Sequence, residues 1–120
     1  MRLSLPYPPS MNHYWRSFRG RNILSRDGRE YRARVQMMGH ECMSCRVQVV
    51  AVAYMPDRRR RDLDNLWKCL LDSLMHAAVL EDDSQCDRLE IVRGPVVPGG
   101  RVDLEISEWT GLEQWLKERQ

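Results

Sequence analysis

Residues Arg46–Leu80, RVQVVAVAYMPDRRRRDLDNLWKCLLDSLMHAAVL, carry the strongest structural pattern in the chain. The first part, 46–55, is rich in valine and apolar on nearly both faces, which is typical of a central strand. The later part places apolar residues at spacings of three and four, as in a helix with one face in a core. That stripe consists of Leu63, Leu66, Trp67, Leu70, Leu71, Leu74 and Ala78. The stretch predicts a buried strand, a charged loop and an amphipathic helix.

Weaker patterns on both sides predict the remaining elements. Strands are expected near residues 2–5, 88–93 and 101–107, with a turn at 98–100 before the last one. Asp27 and Glu30 resemble a capping box that opens a second helix, and Thr110 and Glu113 resemble another that opens a short terminal helix. The apolar positions of the second helix would be Tyr31, Val35, Met38 and Cys42. Residues 10–26 show no clear period and are predicted to form a long loop or arm.

These elements alternate irregularly, which predicts an α+β fold. We expect residues 1–120 to form a single small domain, in which a mixed β-sheet packs against two main helices and a short C-terminal helix follows. No apolar run approaches the roughly 18 residues of a membrane span, and the first residues lack the features of a signal peptide. A cytoplasmic protein without membrane association is expected.

Charge is distributed unevenly along the chain. Residues 1–61 contain 13 Arg and 4 Asp or Glu, whereas residues 62–120 contain 6 Arg or Lys and 13 Asp or Glu. A basic part joined to an acidic part suggests a surface for polyanions beside a site that collects cations. An unevenly charged solvated surface is the plainer alternative.

The acidic residues that begin the predicted central helix are candidates for metal binding. Asp62 and Asp64 directly follow four arginines, Arg58–Arg61. On a regular helix two residues that are two apart point about 200° away from each other, so both can bind one ion only if Asp62 precedes the helix and Asp64 lies in its first turn. Lys68 then follows Asp64 by one turn, where an ammonium group can neutralise a phosphate.

A second acidic cluster, Glu81, Asp82 and Asp83, follows the same helix. Carboxylates from separate elements are preferred ligands of Mg²⁺, and arginines nearby would complete a site for metal-assisted phosphodiester hydrolysis. The alternatives are that Asp62 or Asp64 caps the helix, that Asp64 and Lys68 form a surface ion pair, and that Asp82 and Asp83 are polar loop residues.

The block MPDRRRRDLDNLWK resembles the signature segment of the RusA family of Holliday junction resolvases. Near the start, LPYPPSMNHYWR is similar to the family in its prolines, Asn12, Tyr14 and aromatic–arginine pair. VLEDDSQ fits the segment that carries the third acidic residue, and PGGRVDLEISE fits the closing hairpin. The resemblance covers about residues 1–108 in collinear order.

The resemblance implies a crossover junction endodeoxyribonuclease that resolves Holliday junctions in DNA recombination and repair. It implies that Asp62, Asp64 and Asp83 bind Mg²⁺, with Mn²⁺ as the alternative ion, and that Lys68 is essential; Asp82 is the substitute for Asp83. It also implies a homodimer that binds a four-way DNA junction and nicks two strands symmetrically.

Contacts with DNA are expected from the arginine-rich segments. The candidates are Tyr14, Arg16, Arg19, Arg21, Arg58, Arg59, Arg60 and Arg61, with Tyr14 and Trp15 stacking on unpaired bases. A non-catalytic, arginine-rich junction-binding or DNA-binding protein is the alternative function. A hydrolase acting on free nucleotides is a third, although the sequence contains no glycine-rich phosphate loop.

Overall fold

The computed structural model describes all 120 residues and confirms an α+β fold with a mixed sheet. Four strands form the main sheet in the order β1-β6-β4-β5, in which only the β4–β5 pair is parallel. A separate two-stranded sheet contains β2 and β3. The strands are β1 (Arg2–Pro6), β2 (Trp15–Phe18), β3 (Arg21–Leu24), β4 (Val47–Tyr54), β5 (Cys86–Arg93) and β6 (Arg101–Glu108). The helices are α1 (Met11–Tyr14), α2 (Arg26–Met37), α3 (Asn65–His76) and α4 (Leu112–Lys117).

The predicted central strand is β4, which lies between β6 and β5. Alternate residues of β4, from Val47 to Ala53, are fully buried, and the residues between them are half-buried. In β6 Val102, Leu104 and Ile106 face the same core while their neighbours meet solvent to varying degrees. Both faces of β4 are therefore at least partly covered, as its valine-rich sequence requires.

Helix α3 connects the end of β4 to the start of β5, so the parallel pair is joined by a helical crossover. Its apolar stripe packs into a single core of 19 buried residues, to which α2 contributes Tyr31 and Val35. Leu66, Leu70 and Leu74 of α3 belong to that core. The sheet and the two main helices therefore share one hydrophobic interior.

The structure differs from the sequence-based expectation at residues 10–26. This stretch is ordered into α1 and a β2–β3 hairpin rather than a loop. The hairpin turns through Arg19 and Gly20, whose φ angles are 51° and 73°. Two successive positive φ angles match the twist of the flanking strands, and an Arg-Gly pair is a weak sequence signal for such a turn. The predicted arm exists, but it is a hairpin.

The ends of the helices also depart from the expectation. Ser25, rather than Asp27, caps α2 by accepting a hydrogen bond from the Gly28 N–H at 2.9 Å, and α2 ends at Met37, before Cys42. Gly111 precedes α4 without a side-chain cap, so the box predicted at Thr110 does not form. None of the four helices is both long and apolar enough to cross a membrane.

Candidate functional site

Asp62 and Asp64 lie between β4 and α3. The spacing predicted Asp62 before the helix and Asp64 in its first turn, whereas Asp64 occupies the capping position just before that turn. Asp62 has non-helical backbone, and Asp64 is the residue that precedes the first turn of α3. The Asp64 side chain accepts no capping hydrogen bond. Both residues are exposed, and neither carboxylate forms an ion pair within 4.0 Å. The helix-cap alternative and the Asp64–Lys68 ion pair therefore find no support in the geometry.

The loop before Asp62 is held by a different carboxylate, Asp57. Arg61 donates to both oxygens of Asp57, at 3.1 Å to Oδ2, and the Arg59 N–H donates to Oδ1 at 2.9 Å. The hydrogen bond from Arg61 is the main reason that the pKa of Asp57 falls to about 2. Arg61 also lies 5.8 Å from the centre of the Tyr7 ring. Arg61 thus stabilises the loop through its ion pair with Asp57, a role that the sequence pattern did not indicate.

A surface cleft of about 340 Å³ opens beside Asp62. The proline-rich segment supplies one wall and the start of α3 supplies the other. Its lining residues are Tyr7, Pro8, Ser10, Arg60, Arg61, Asp62, Asn65 and Leu66. Because the first N–H groups of a helix carry partial positive charge, the cleft combines a carboxylate, arginines and a helix N-terminus. That set of groups suits a phosphate together with a cation.

Lys68 is exposed one turn after Asp64. Its ammonium group lies 6.0 Å from the centre of the Trp15 ring and forms no ion pair within 4.0 Å. Arg32 lies 5.9 Å from the centre of the same ring. The Trp15 ring is thus close to two cationic side chains, of which Lys68 has no acidic partner and remains available to an anionic ligand.

Asp83 lies at the opposite end of α3. Its backbone N–H donates to the Met75 Sδ at 3.1 Å, and Met75 follows Asp64 by about 16 Å of helix. The strand register agrees with this separation. Cys86, shortly after Asp83, pairs with Val47 at the start of β4, whereas Arg93, which donates to the Arg61 carbonyl at 2.7 Å, lies about 23 Å further along β5.

The expectation that one chain brings Asp62, Asp64 and Asp83 together is therefore wrong. No group of three acidic, histidine or cysteine side chains within the chain is placed to hold a metal ion. A helix and a paired strand separate the two acidic segments, and neither shortens without losing its hydrogen bonds. The oxygen ligands of Asp62 and Asp64 still fit Mg²⁺, which binds through one or two carboxylates and keeps several waters.

The two acids of the second cluster differ in what their side chains do. Asp82 forms a capping box with Gln85, and its carboxylate accepts from the Ser84 N–H at 3.0 Å. Hydrogen bonds from Ser84 are the main reason that the pKa of Asp82 is lowered. Asp83 is exposed and its carboxylate has no hydrogen-bond partner. Asp83 is accordingly the better candidate for a ligand.

Tyr14, which was expected to contact DNA, is fully buried. Its hydroxyl donates to Asp72 on α3, and Arg32 donates to the two oxygens of Asp72 at 2.7 and 2.8 Å. Tyr14 therefore has no surface to offer a base and instead joins α1 to α2 and α3. Its partner is 58 residues away in the sequence, so no local pattern indicated this contact.

The arginines expected to bind DNA are mostly free to do so. Arg16, Arg19 and Arg21 on the hairpin and Arg58, Arg59 and Arg60 before Asp62 are all exposed. Arg61 is half-buried and engaged by Asp57, and the exposed Arg59 guanidinium lies 3.9 Å from the same carboxylate. Guanidinium groups match phosphate with paired donors, so these six residues provide a basic surface next to the acidic pair.

Comparison with known proteins agrees with this chemistry. Residues 6–107 match the family described as Endodeoxyribonuclease RusA. The chain is 45% identical to a crossover junction endodeoxyribonuclease of Enterobacteria phage HK97, over 87% of this chain and 91% of the phage protein. It is 41% identical to the proteins of the same name from Escherichia coli strain K12 and Enterobacteria phage 82, over 88% of this chain and 92% of each relative. The chain belongs to the RusA endodeoxyribonuclease family.

Proposed function

We propose that the protein is a metal-dependent endonuclease that resolves four-way DNA junctions by hydrolysing phosphodiester bonds in two strands. The observation that carries the proposal is the pair of unpartnered carboxylates, Asp62 and Asp64, between exposed arginines and the N-terminus of α3. The names of the relatives support the same activity, since they are crossover junction endodeoxyribonucleases. We place this action in the cytoplasm, because the relatives come from a bacterium and from bacteriophages, whose DNA recombines there.

Asp62 and Asp64 would hold the divalent ion, Mg²⁺ or Mn²⁺, because carboxylate oxygens are its preferred protein ligands. When bound there, the ion would supply a water of lowered pKa and would offset the charge that develops on the phosphate. Lys68, one turn further along α3 and free of any acidic partner, is positioned to stabilise the same phosphate. The exposed arginines hold the neighbouring phosphates of the backbone.

The third carboxylate comes from a second subunit in this proposal. The outer edge of β5 has no strand beside it, and it exposes 42% of Leu89 and 50% of Val92. An unpaired edge strand is a template for pairing with another chain. Two copies that pair β5 antiparallel about a two-fold axis would place the start of one β5 against the end of the other.

That arrangement closes the gap that a single chain leaves. Cys86 of the partner subunit would lie beside Arg93, whose guanidinium contacts the Arg61 carbonyl next to Asp62. Asp83 of the partner subunit would then lie at the same end of the strand pair as Asp62 and Asp64, instead of about 23 Å away along a strand. A symmetric dimer would contain two such sites, one for each strand to be nicked.

Incubation of the purified protein with a synthetic four-way junction tests the proposal. With Mg²⁺ or Mn²⁺ we expect paired nicks at symmetric positions in opposite strands, and with EDTA we expect binding without nicks. Binding without nicking under every metal condition would overturn the proposal and favour a non-catalytic junction-binding protein. Efficient hydrolysis of free nucleotides but not of the junction would favour the third class considered above.

A further inference from the structure

The β2–β3 hairpin presents an exposed aromatic ring among cationic groups. Phe18 at its tip is 47% exposed. The guanidinium carbons of Arg16 and Arg19 lie 5.5 and 5.2 Å from the centre of its ring. Arg21 is opposite Phe18 in the hairpin register. An aromatic face bordered by three cations suits a partner that has both flat π surfaces and phosphates, which is the chemistry of a nucleic acid.

The hairpin is firmly attached at its base. The Ser25 N–H donates to the Tyr14 carbonyl at 2.9 Å, and the Ser25 hydroxyl donates to the His13 carbonyl. Tyr14 is buried against Asp72 of α3. A Cβ added at Gly28 would lie 2.4 Å from the Tyr14 carbonyl oxygen, so α2 packs tightly against the same point. These contacts fix the direction in which the hairpin projects.

The position of the hairpin relative to Lys68 is set by Trp15, the first residue of β2. The Lys68 ammonium lies 6.0 Å from the Trp15 ring, and Phe18 follows Trp15 by about 10 Å of extended strand. Phosphates along one DNA strand are about 3.4 Å apart along the helix axis. Phe18 and Lys68 are therefore within the span of a few nucleotides, so one bound DNA strand can contact both.

We infer that Phe18 is a stacking platform for a base that is unstacked at the junction crossover, so that the hairpin distinguishes a junction from a continuous duplex. In an intact duplex each base is covered above and below by its neighbours, whereas a branch point leaves base faces open. Stacking is offered only to the branched substrate, while Arg16, Arg19 and Arg21 grip phosphates of either. The inference rests on the proposed junction substrate and adds the residue that selects its branched form.

Equilibrium binding in EDTA tests the inference without depending on cleavage. The substrates are a four-way junction and a linear duplex of matching sequence. One set carries 2-aminopurine at the crossover of the junction and at the corresponding position of the duplex. A second set carries it well inside one arm of the junction and at the corresponding position of the duplex. The variants are Phe18→Ala, Phe18→Trp and the control Ser17→Ala, which changes the adjacent exposed residue of the same strand. Because Phe18 is exposed, the variants are expected to keep the melting temperature of the parent protein.

For Phe18→Ala we expect junction binding about 5- to 100-fold weaker, the range for one lost stacking contact, with duplex binding nearly unchanged. The fluorescence change of 2-aminopurine at the crossover should be lost in Phe18→Ala and retained in Phe18→Trp and Ser17→Ala. Equal weakening on junction and duplex, or no loss of the crossover signal, would overturn the inference. If the parent protein binds but never nicks, the proposed activity fails while these binding results still decide the role of Phe18.

Discussion

At the scale of single residues, the chemistry depends on which carboxylates are free. The chain contains many acidic residues, but Asp57, Asp72 and Asp87 are each engaged by an arginine. Asp62, Asp64 and Asp83 are exposed and lack such partners. A carboxylate that already forms an ion pair with an arginine has less to gain from a metal ion. The ion pairs therefore distinguish acidic residues that stabilise the fold from candidate metal ligands more sharply than sequence spacing does.

Changing Asp64 to Asn should remove a metal ligand while preserving the shape of the site. We expect junction cleavage in Mg²⁺ to fall by more than about 100-fold, since even groups that only orient metal ligands contribute 10- to 100-fold. Junction binding in EDTA should be maintained. Asp27→Asn is the matched control, because Asp27 is exposed and distant in sequence from the site. Cleavage by Asp64→Asn at the parental rate would exclude Asp64 from the metal site.

Asp72 predicts a dependence of stability on pH. Burial raises the pKa of Asp72, but hydrogen bonds from Arg32 and Tyr14 outweigh burial and leave the pKa below its ordinary value. A depressed pKa stabilises the folded state above the unfolded-state pKa of about 3.9, and this stabilisation is lost as pH falls through the folded value. Asp72→Asn should cost about 1–3 kcal/mol near neutral pH.

The difference in the free energy of unfolding between the parent protein and Asp72→Asn should become smaller below about pH 4, as Asp72 becomes protonated in the parent. Urea unfolding at several pH values measures it, with Asp27→Asn again as the control. A difference that stays constant from pH 7 to pH 3 would mean that the ionised Asp72–Arg32 pair does not stabilise the fold.

At the scale of elements, α3 connects the core to the site. One face buries Leu66, Leu70 and Leu74, while the other presents Lys68 and Asp72. Its hydrophobic stripe thus determines the rotation of the helix about its axis, and that rotation directs Lys68 outward. The β2–β3 hairpin depends on α3 in turn, because Tyr14 at its base is bonded to Asp72.

Truncation of α3 at a buried position should destabilise the protein strongly. Leu70 is fully buried, so Leu70→Ala is expected to reduce the free energy of unfolding by about 2–5 kcal/mol. Leu112 of α4 is 62% exposed, so Leu112→Ala should change the free energy of unfolding by less than about 0.5 kcal/mol. Chemical denaturation of both variants checks the prediction. Equal effects would contradict the arrangement of the core.

At the scale of the whole molecule, the two acidic segments lie at opposite ends of the parallel strand pair. In the proposed dimer, the start of β5 in one subunit would lie beside the end of β5 in the other. This would bring the two acidic segments together without distorting α3 or β5. It also accounts for the apolar residues on the free edge of β5, Leu89 and Val92. In the proposed dimer, symmetric nicking would follow from the two-fold axis, because each subunit would complete the site of the other.

Mixed dimers distinguish a shared site from a site within one chain. Asp64→Asn and Asp83→Asn should each be inactive alone. When the two variants are mixed and allowed to exchange subunits, a shared arrangement places both defects in one site and leaves the other site intact. We expect junction nicking in a single strand to return, to at most about half of the parental rate per dimer.

If each site belonged to one chain, every mixed dimer would carry two damaged sites and nicking would not return. The control is a mixture of Asp62→Asn with Asp64→Asn, both of which alter the same acidic pair. That mixture should stay inactive in either arrangement. Differently tagged subunits, separated by affinity, confirm that mixed dimers have formed.

Features that depend on short stretches of chain could be predicted from the amino-acid sequence alone. Local periodicity predicted the valine-rich strand β4 and the apolar stripe of α3. Backbone geometry predicted that Asp62 lies before the start of α3. The RusA signature segment was recognisable for the same reason, since its residues are adjacent in the chain. Local spacing also indicated Asp62, Asp64 and Asp83 as candidate ligands, which remains a prediction.

Contacts between segments that are distant in the sequence became visible only in the folded chain. Tyr14 is buried through a hydrogen bond to Asp72, which is 58 residues away in the sequence and was therefore not predictable from a local pattern. Asp83 lies far from Asp64 because β5 pairs parallel to β4 from its first residue. The hairpin within residues 10–26 needed a turn with two positive φ angles at Arg19 and Gly20. Long-range contacts set the positions of Tyr14 and Asp83, and no periodicity along the chain records them. The local hairpin instead depends on backbone conformations that its residue types indicate only weakly.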